Sequence, residues 1–214
     1  MNGSEPVYFP SSVMDLLKAQ DIHKSYRKNH VLQGIGLVVT PGTLVGIVGE
    51  NGSGKSTLLK ILAGELEADS GTVAVTGSIG YSPQDPIVNE SLTVGEHLEY
   101  FKEAYRLPDT HYAEHLLDQL HFRKFQKEKT GNLSGGTRQK LNLTIALMHQ
   151  PSILLLDEPY QGFDWETYLR FWDVVKELKQ AGKAILVISH LIFEREKFDH
   201  LLHLENGTLN EEKK

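Results

Sequence analysis

A glycine-rich turn at residues 49–57 carries the residue types that bind phosphate groups. Its sequence, Gly-Glu-Asn-Gly-Ser-Gly-Lys-Ser-Thr, satisfies the pattern Gly-x-x-x-x-Gly-Lys-Ser/Thr. Glycine lets the backbone wrap closely around an anion with its N–H groups turned inward, and a helix starting near Lys55 would point its positive dipole end at that anion. Lys55 would bridge the β- and γ-phosphates of a nucleotide, and the Ser56 hydroxyl would bind Mg²⁺. The predicted phosphate-binding residues are Gly49, Asn51, Gly52, Ser53, Gly54, Lys55, Ser56 and Thr57.

Two adjacent carboxylates, Asp157 and Glu158, follow an apolar run at residues 153–156. Hydrolysis of a bound nucleotide needs a second ligand for Mg²⁺ and a group that orients the attacking water. We expect Asp157 to hold the Mg²⁺ shell and Glu158 to polarise the water as a general base. Taken alone, the pair could be two solvated carboxylates at the end of a strand. Their occurrence in a chain that also has a phosphate-binding motif favours the catalytic interpretation.

A histidine, His190, follows the apolar run at residues 185–188. Loops at the carboxyl ends of parallel strands are where α/β proteins build their sites. A histidine in such a loop could contact the γ-phosphate and sense its loss. Isolated histidines are more often structural or surface residues, so this interpretation depends on the other motifs.

The segments around these residues have the patterns of elements that would position them. Short apolar runs with the length of buried strands occur at residues 44–48, 153–157 and 184–189, immediately before the motifs. After two of these runs, apolar residues recur at the spacing of a helix, which predicts helices at residues 55–63 and 165–180. The alternation of strand and helix predicts an α/β core.

Two further regions complete the predicted fold. Residues 16–26 and 31–39 read as strands joined by a turn, and residues from about 91 to 150 have the apolar spacing of helices. The sequence therefore predicts an α/β fold in which a mixed sheet has flanking helices, an inserted α-helical subdomain and an N-terminal antiparallel β part. The predicted boundaries are a disordered extension at 1–13 and a single domain at 14–214, with its core at about 14–88 and 151–210 and its helical subdomain at about 89–150.

Composition narrows the possible classes of function. The formal net charge is −6, and an acidic chain is a poor general binder of nucleic acid, so we expect no nucleic-acid partner. The chain has no cysteine, which excludes disulfides and thiolate metal sites. Its apolar runs are shorter than the ~18 residues of a membrane-spanning helix. If the protein works at a membrane, we expect another chain to hold it there.

Residues 133–136, Leu-Ser-Gly-Gly, complete a resemblance to the ATP-binding-cassette (ABC) family. They match the signature sequence of that family at the start of a predicted helix. Ser134 can cap this helix, while Gly135 and Gly136 can expose backbone N–H groups to a phosphate. Four residues alone would be weak support, but their position upstream of Asp157 and Glu158 strengthens it.

Other matches to the ABC family follow in order from about residue 16 to residue 209. Tyr26 occupies the place of the aromatic residue that stacks on adenine in the family. Gln84 resembles the glutamine that reaches Mg²⁺ and links the core to the helical subdomain. Asp164 matches the aspartate of the loop after the catalytic glutamate, and His190 matches the switch histidine. The resemblance thus implies that Gln84 and His190 act with Lys55 and Glu158 in catalysis.

The resemblance implies a P-loop NTPase core of ABC type that works as a pair. Family members hold two ATP molecules between two such domains, each covered by the signature of the facing domain. Ser134, Gly135, Gly136 and Asp164 would therefore act in trans, and the partners would be a second ABC domain, in a homodimer, and integral membrane permease subunits. The implied ligands are ATP and Mg²⁺. The implied location is the cytoplasmic face of a membrane, through the permease.

The chain departs from common family patterns at two positions. Thr137 stands where many members have a glutamine directly after the signature. Many exporter-type members also have another residue at this position. Gln161 replaces a serine that contacts the facing nucleotide site, which puts the coupling between the two sites in doubt. The residues expected to perform hydrolysis are all present.

The leading hypothesis is the motor ATPase of a membrane transporter, of the multidrug or exporter type. The alternative is an ABC ATPase that moves no substrate, for example an assembly or translation factor. A third class, a regulatory protein that binds ATP without hydrolysing it, is disfavoured by Glu158 and His190.

Other residues of chemical interest read as structural. His97, His111, His115 and His121 lie in the helical block, and we expect them on a solvated helix face. Trp165 and Trp172 are expected to be packing residues.

Overall fold

The computed structural model describes residues 15–190 and 194–212. The predicted extension at 1–13 lies outside the described residues. The elements are β1 (Leu17–Tyr26), β2 (Asn29–Val39), β3 (Leu44–Val48), α1 (Lys55–Leu62), β4 (Ser70–Val75), β5 (Ile79–Ser82), α2 (Val94–Tyr105), α3 (His111–Gln119), α4 (Gly135–Leu147), β6 (Ile153–Asp157), α5 (Trp165–Gln180), β7 (Ala184–Ile188), β8 (His200–Glu205) and β9 (Thr208–Glu211). Short 3₁₀ turns occur at Arg123–Phe125, Thr130–Asn132 and Arg195–Lys197.

The strands form two sheets. The main sheet has the order β5-β6-β7-β3-β8-β9; it is parallel from β5 to β8 and antiparallel at the β8–β9 edge. A second, antiparallel sheet has the order β2-β1-β4. The predicted α/β fold with a mixed sheet and an N-terminal antiparallel part is confirmed.

The main sheet is covered on both faces, which explains the apolar strands. Along β6, Leu154 and Leu156 join a core shared with α2, α3, α4 and α5. Ile153 and Leu155 alternate with them and join a second core shared with α1, β1 and β2. Because both sets of side chains are buried, every residue of β3, β6 and β7 is buried.

The helix α2 starts with a capping box. The Thr93 hydroxyl accepts from the Glu96 N–H at 3.1 Å, and the Glu96 carboxylate accepts from the Thr93 N–H at 2.7 Å. The next residue, His97, is 2% exposed, so the expected solvated face is wrong for His97. Its Nε2 accepts from the Asn89 N–H at 2.9 Å and its Nδ1 donates to the Thr93 carbonyl at 2.8 Å. These bonds fix the loop before α2 to the first turn of the helix.

The two tryptophans have different environments. Trp172 is 6% exposed, as expected for a packing residue, whereas Trp165 is 70% exposed. The expectation that Trp165 is a packing residue is wrong for most of its surface. It is the first residue of α5, and its ring stacks on Tyr168 at a centroid distance of 5.5 Å. No helix within residues 15–190 and 194–212 combines the length and apolarity needed to cross a bilayer.

Candidate active site

A cavity of about 640 Å³ opens where the carboxyl ends of β3, β6 and β7 lie side by side. The phosphate-loop motif follows β3, Asp157 is the last residue of β6 with Glu158 directly after it, and His190 follows β7. Strand order therefore brings together three motifs that are far apart in sequence. The cavity is lined by Tyr26, Val31, Asn51, Gly52, Gly54, Lys55, Ser56, Thr57, Gln84, Asp157, Glu158, Gln161 and His190.

Gly54 has the geometry of an anion-binding helix start. It is the N-cap of α1 with φ 104°, a left-handed conformation that glycine adopts readily, and no side chain in the described part of the protein caps the helix. An added Cβ would also lie 2.6 Å from Cγ1 of Val31. The first N–H groups of α1 thus remain available to a phosphate, which suits this loop as a phosphate cradle.

Lys55 lies 7% exposed inside this loop. Its Nζ donates to the carbonyl oxygens of Gly49 and Glu50, both at 2.8 Å. Burial lowers the pKa of Lys55, while the nearby carboxylates of Glu158 and Asp157 act in the opposite direction. An ammonium group held by two carbonyl oxygens can exchange these bonds for phosphate oxygens without a change of charge.

Asp157 and Ser56 form an oxygen-rich group on the cavity wall. Asp157 is 2% exposed, and burial raises its pKa, while a hydrogen bond from the Ser56 side chain lowers it. Hydroxyl, carboxylate and amide oxygens are ligands that Mg²⁺ prefers, so Ser56, Asp157 and Gln84 fit this ion. Among the described residues no cluster of three or more His, Cys, Asp or Glu could hold a metal by itself. An ion here would need phosphate oxygens or water to complete its shell.

The Glu158 carboxylate is held by donors from the end of β7. Oε1 accepts from the backbone N–H of His190 and lies 2.7 Å from its Nδ1, while Oε2 accepts from the Ser189 hydroxyl at 3.0 Å. Glu158 has φ 47°, and its own N–H donates to the Ile188 carbonyl at 2.9 Å. The contact between His190 and Glu158 was not predicted from the sequence.

Two predicted phosphate-loop residues do not line the main cavity. Gly49 contributes its carbonyl oxygen to Lys55. Ser53 lines a neighbouring cavity of about 450 Å³. Its Oγ is buried and has no hydrogen-bond partner among residues 15–190 and 194–212. Conversely, Val31 lines the main cavity, although the sequence did not predict this because Val31 reads as an ordinary residue of an apolar strand.

The signature residues lie apart from the cavity of their own chain. Ser134 caps α4 by accepting from the Thr137 N–H at 3.2 Å, and its Oγ lies 2.9 Å from Oγ1 of Thr137. Gly135 and Gly136 line a separate cavity of about 440 Å³. An added Cβ on Gly136 would lie 2.2 Å from the carbonyl oxygen of Gly162, so the start of α4 packs directly on the loop before α5.

Asp164 caps α5 at the end of that loop. Its Oδ1 accepts from the Thr167 N–H at 2.8 Å, and hydrogen bonds with Thr167 lower the pKa of Asp164. The structure thus gathers most of the residues predicted for catalysis and binding in one cavity. Ser134, Gly135, Gly136 and Asp164, which were predicted to act in trans, are not among the described residues that line it.

Comparison with known proteins gives matches over most of the chain. The family model described as ABC transporter matches residues 32–161. An uncharacterized ABC transporter ATP-binding protein of Methanocaldococcus jannaschii is 32% identical over 195 residues, which are 89% of this chain and 74% of that protein. The Nod factor export ATP-binding protein I of Burkholderia pseudomallei is 33% identical over 86% of this chain and 65% of its own length. The chain spans less than a third of the length of some other curated relatives.

Among solved structures, one described as the dimeric post-hydrolysis state of an ATP-binding cassette bound to ADP and Pi has a TM-score of 0.84 to this chain. Its sequence is 25% identical, and the match covers 92% of this chain and 98% of that one.

Proposed function

The chain belongs to the ABC transporter family, and we propose that it is an ATP-hydrolysing motor subunit that works as an ATP-closed pair. The observation that carries this proposal is the convergence of Lys55, Asp157 and Glu158 on one cavity at the carboxyl edge of the main sheet. A cation for phosphate, an oxygen ligand for Mg²⁺ and a carboxylate for water are the parts that nucleotide hydrolysis requires.

Binding of ATP would use both ends of the cavity. Tyr26 is half exposed at the cavity wall and offers a ring on which adenine can stack. The phosphates would lie on the N–H groups around Gly54, and Lys55 would donate to the β- and γ-phosphate oxygens. Ser56, Gln84 and Asp157 would hold Mg²⁺, which supplies charge neutralisation on the phosphates when bound.

We assign the role of general base to Glu158. Its Oε2 accepts one hydrogen bond, from Ser189, and a carboxylate oxygen has the capacity for a second, from water. In the proposed step, Glu158 takes a proton from the water as that water attacks the γ-phosphorus. The bond from the γ-phosphorus to the β–γ bridging oxygen breaks, and ADP and phosphate remain. His190 fixes the orientation of Glu158 through the 2.7 Å contact and faces the cavity as a sensor of the γ-phosphate.

A second copy would complete each site. Ser134, Gly135 and Gly136 form the start of α4, whose N–H groups could bind a phosphate, and they are not among the described residues that line the cavity of their own chain. The related cassette described as dimeric supports the pairing of two copies. In that pair, these residues and Asp164 would cover the ATP of the facing copy. Binding of ATP between the copies would favour the closed pair, and hydrolysis would release it.

Transport is the activity that we propose for this motion, in the direction of export. The similarity to an ATP-binding protein named for Nod factor export supports that direction. Integral membrane permease subunits would be the partners, and they would hold the chain on the cytoplasmic face of the membrane.

The test of the transporter role is a pull-down of tagged Glu158→Gln protein from its native cells, in mild detergent with ATP. We expect a polytopic membrane protein in a fixed ratio to the bait. Tagged Lys55→Ala, prepared in parallel, separates ATP-dependent recovery from nonspecific binding. Recovery of soluble partners or ribosomes alone would contradict the transporter role and favour a non-transport ABC ATPase.

A further inference from the structure

A hydrogen-bond chain joins Tyr160 to Glu158 through Ser189. The Ser189 hydroxyl donates to Oε2 of Glu158 at 3.0 Å, and the side chains of Ser189 and Tyr160 are also hydrogen-bonded to each other. Ser189 is 1% exposed, so water does not compete for its hydroxyl. The chain thus reaches the oxygen of Glu158 that His190 does not contact.

The direction of the chain follows from the number of protons available. A serine hydroxyl has one proton, and an ionised carboxylate can only accept, so the Ser189 proton belongs to Glu158. The Tyr160 hydroxyl must then donate to Oγ of Ser189. Burial raises the pKa of Tyr160 to about 12, and this effect outweighs the hydrogen bond with Ser189, which acts in the opposite direction. The Tyr160 hydroxyl is therefore protonated at neutral pH and able to donate.

The Tyr160 ring is itself fixed by aromatic packing. Its centroid lies 5.3 Å from that of Tyr168, 5.6 Å from that of Phe171 and 6.0 Å from that of Trp172. Edge-to-face and tilted contacts of this kind restrict the ring, and they therefore restrict the position of its hydroxyl. The Tyr160 end of this hydrogen-bond chain is thus packed against α5, away from the cavity.

We propose that Tyr160 and Ser189 are positioning residues that hold the Glu158 carboxylate in the orientation it needs to accept a proton from water. This inference rests on the proposed ATPase function. His190 holds Oε1, whereas the Tyr160–Ser189 chain holds Oε2, and two fixed oxygens define the plane of the carboxylate. Without this hydrogen-bond chain, the carboxylate is freer to turn about the Cγ–Cδ bond of Glu158. It then presents a lone pair to water in fewer of its orientations.

The first experiment compares kcat and KM for ATP in four variants. Ser189→Ala lowers kcat by about tenfold and Tyr160→Phe by about threefold, while KM stays near the wild-type value because neither residue lines the cavity. Ser189→Thr keeps a hydroxyl and retains most of the activity. Tyr168→Phe is the matched control, because its hydroxyl lies in the same aromatic cluster but donates to Glu194 at 2.9 Å.

The double variant Ser189→Ala/Tyr160→Phe tests whether the two residues form one chain. If Tyr160 acts through Ser189, the double variant loses no more activity than Ser189→Ala alone. The proposal would be overturned if the fold-losses in kcat of the two single variants multiplied in the double variant. It would also be overturned if Tyr168→Phe lowered kcat as much as Tyr160→Phe does.

A second readout does not require turnover. The His190 N–H donates to Oε1 of Glu158 at 2.7 Å, so a loosened carboxylate speeds exchange of this amide, measured by NMR. We expect faster exchange in Ser189→Ala and Tyr160→Phe, with wild-type exchange in Tyr168→Phe. Normal kcat or unchanged exchange in Ser189→Ala would overturn the positioning role while the ATPase assignment stands. If the wild-type protein did not hydrolyse ATP, the proposed function would be wrong. The exchange rates would then test only whether Tyr160 and Ser189 hold the Glu158 carboxylate in place.

Discussion

The Nδ1 atom of His190 lies 2.7 Å from Oε1 of Glu158, and the backbone N–H of His190 donates to the same oxygen, also at 2.7 Å. Glu158 follows β6 and His190 follows β7, and these strands are parallel neighbours in the main sheet. The side chain of Glu158 is 8% exposed and that of His190 is 48% exposed. On the cavity wall, a largely buried carboxylate is thus in contact with a half-exposed imidazole ring.

We predict that His190→Ala lowers ATP turnover by about tenfold or more. The variant loses the Nδ1 contact to Glu158 but keeps the backbone N–H, so the general base is less well oriented while the fold is preserved. Steady-state phosphate release at saturating ATP measures the effect. His111→Ala is the control, because the His111 side chain is 86% exposed and far from β7 in sequence. Turnover equal in the two variants would contradict the role of His190.

Lys55→Ala tests the phosphate cradle. Removal of the ammonium group should weaken ATP binding by roughly tenfold and lower turnover by more than ~100-fold, because a positive charge aimed at the transferred phosphoryl group is lost. Binding is measured by titration calorimetry and turnover by phosphate release. Lys60→Ala is the matched control, since Lys60 is an exposed lysine on the same helix α1. Undiminished hydrolysis by Lys55→Ala would exclude this assignment.

The sequence was most informative where the chemistry is local. The phosphate loop is a contiguous motif between a strand and a helix, so its residues could be named before the fold was known. The contacts of Glu158 with Ser189 and His190 depend on β6 and β7 being neighbours, which periodicity does not specify. Val31 lines the cavity only because β2 passes beside Gly54.

Burial of single polar or aromatic residues was the least predictable feature. His97 was expected to be solvated because it is a polar residue, whereas its burial depends on the loop at Asn89, whose backbone N–H donates to its ring. Trp165 has a large apolar side chain of the kind that usually packs in a core, yet it is the first residue of α5 and is exposed to solvent. Both outcomes are set by tertiary neighbours rather than by the local pattern.

Gly136→Ala should destabilise the protein by about 1–3 kcal/mol. The added Cβ would lie 2.2 Å from the Gly162 carbonyl oxygen, so the start of α4 must move away from the loop before α5. Urea denaturation gives the change in the free energy of unfolding. Gly135→Ala is the stability control, since its added Cβ has no neighbour within 4 Å among the described residues outside the first turn of α4. Equal stability of the two variants would mean that the backbones of Gly136 and Gly162 are not in close contact.

His149 should make stability depend on pH below 6.5, the ordinary pKa of a histidine side chain. Burial lowers the pKa of His149, so the unfolded chain binds a proton at a pH where the folded chain does not. Its contribution is therefore complete above pH 6.5 and is lost as the pH falls through the folded-state pKa. Guanidinium denaturation above and below that pH should show a larger loss for wild type than for His149→Gln. Parallel curves would contradict this source of acid sensitivity.

Glu158→Gln tests the proposed pair of copies. Glutamine keeps the size of the side chain but cannot act as a base, so ATP should bind without being hydrolysed and hold two copies together. Light scattering should show an ATP-dependent doubling of mass, which is absent with ADP. Adding Ser134→Ala or Gly136→Ala should abolish the doubling, because these residues would cover the ATP of the facing copy. Glu166→Gln, which changes an exposed residue of α5, should remain monomeric under turnover. A Glu158→Gln protein that stays monomeric at saturating ATP would contradict the homodimer and would require a different ABC domain as the second half of the site.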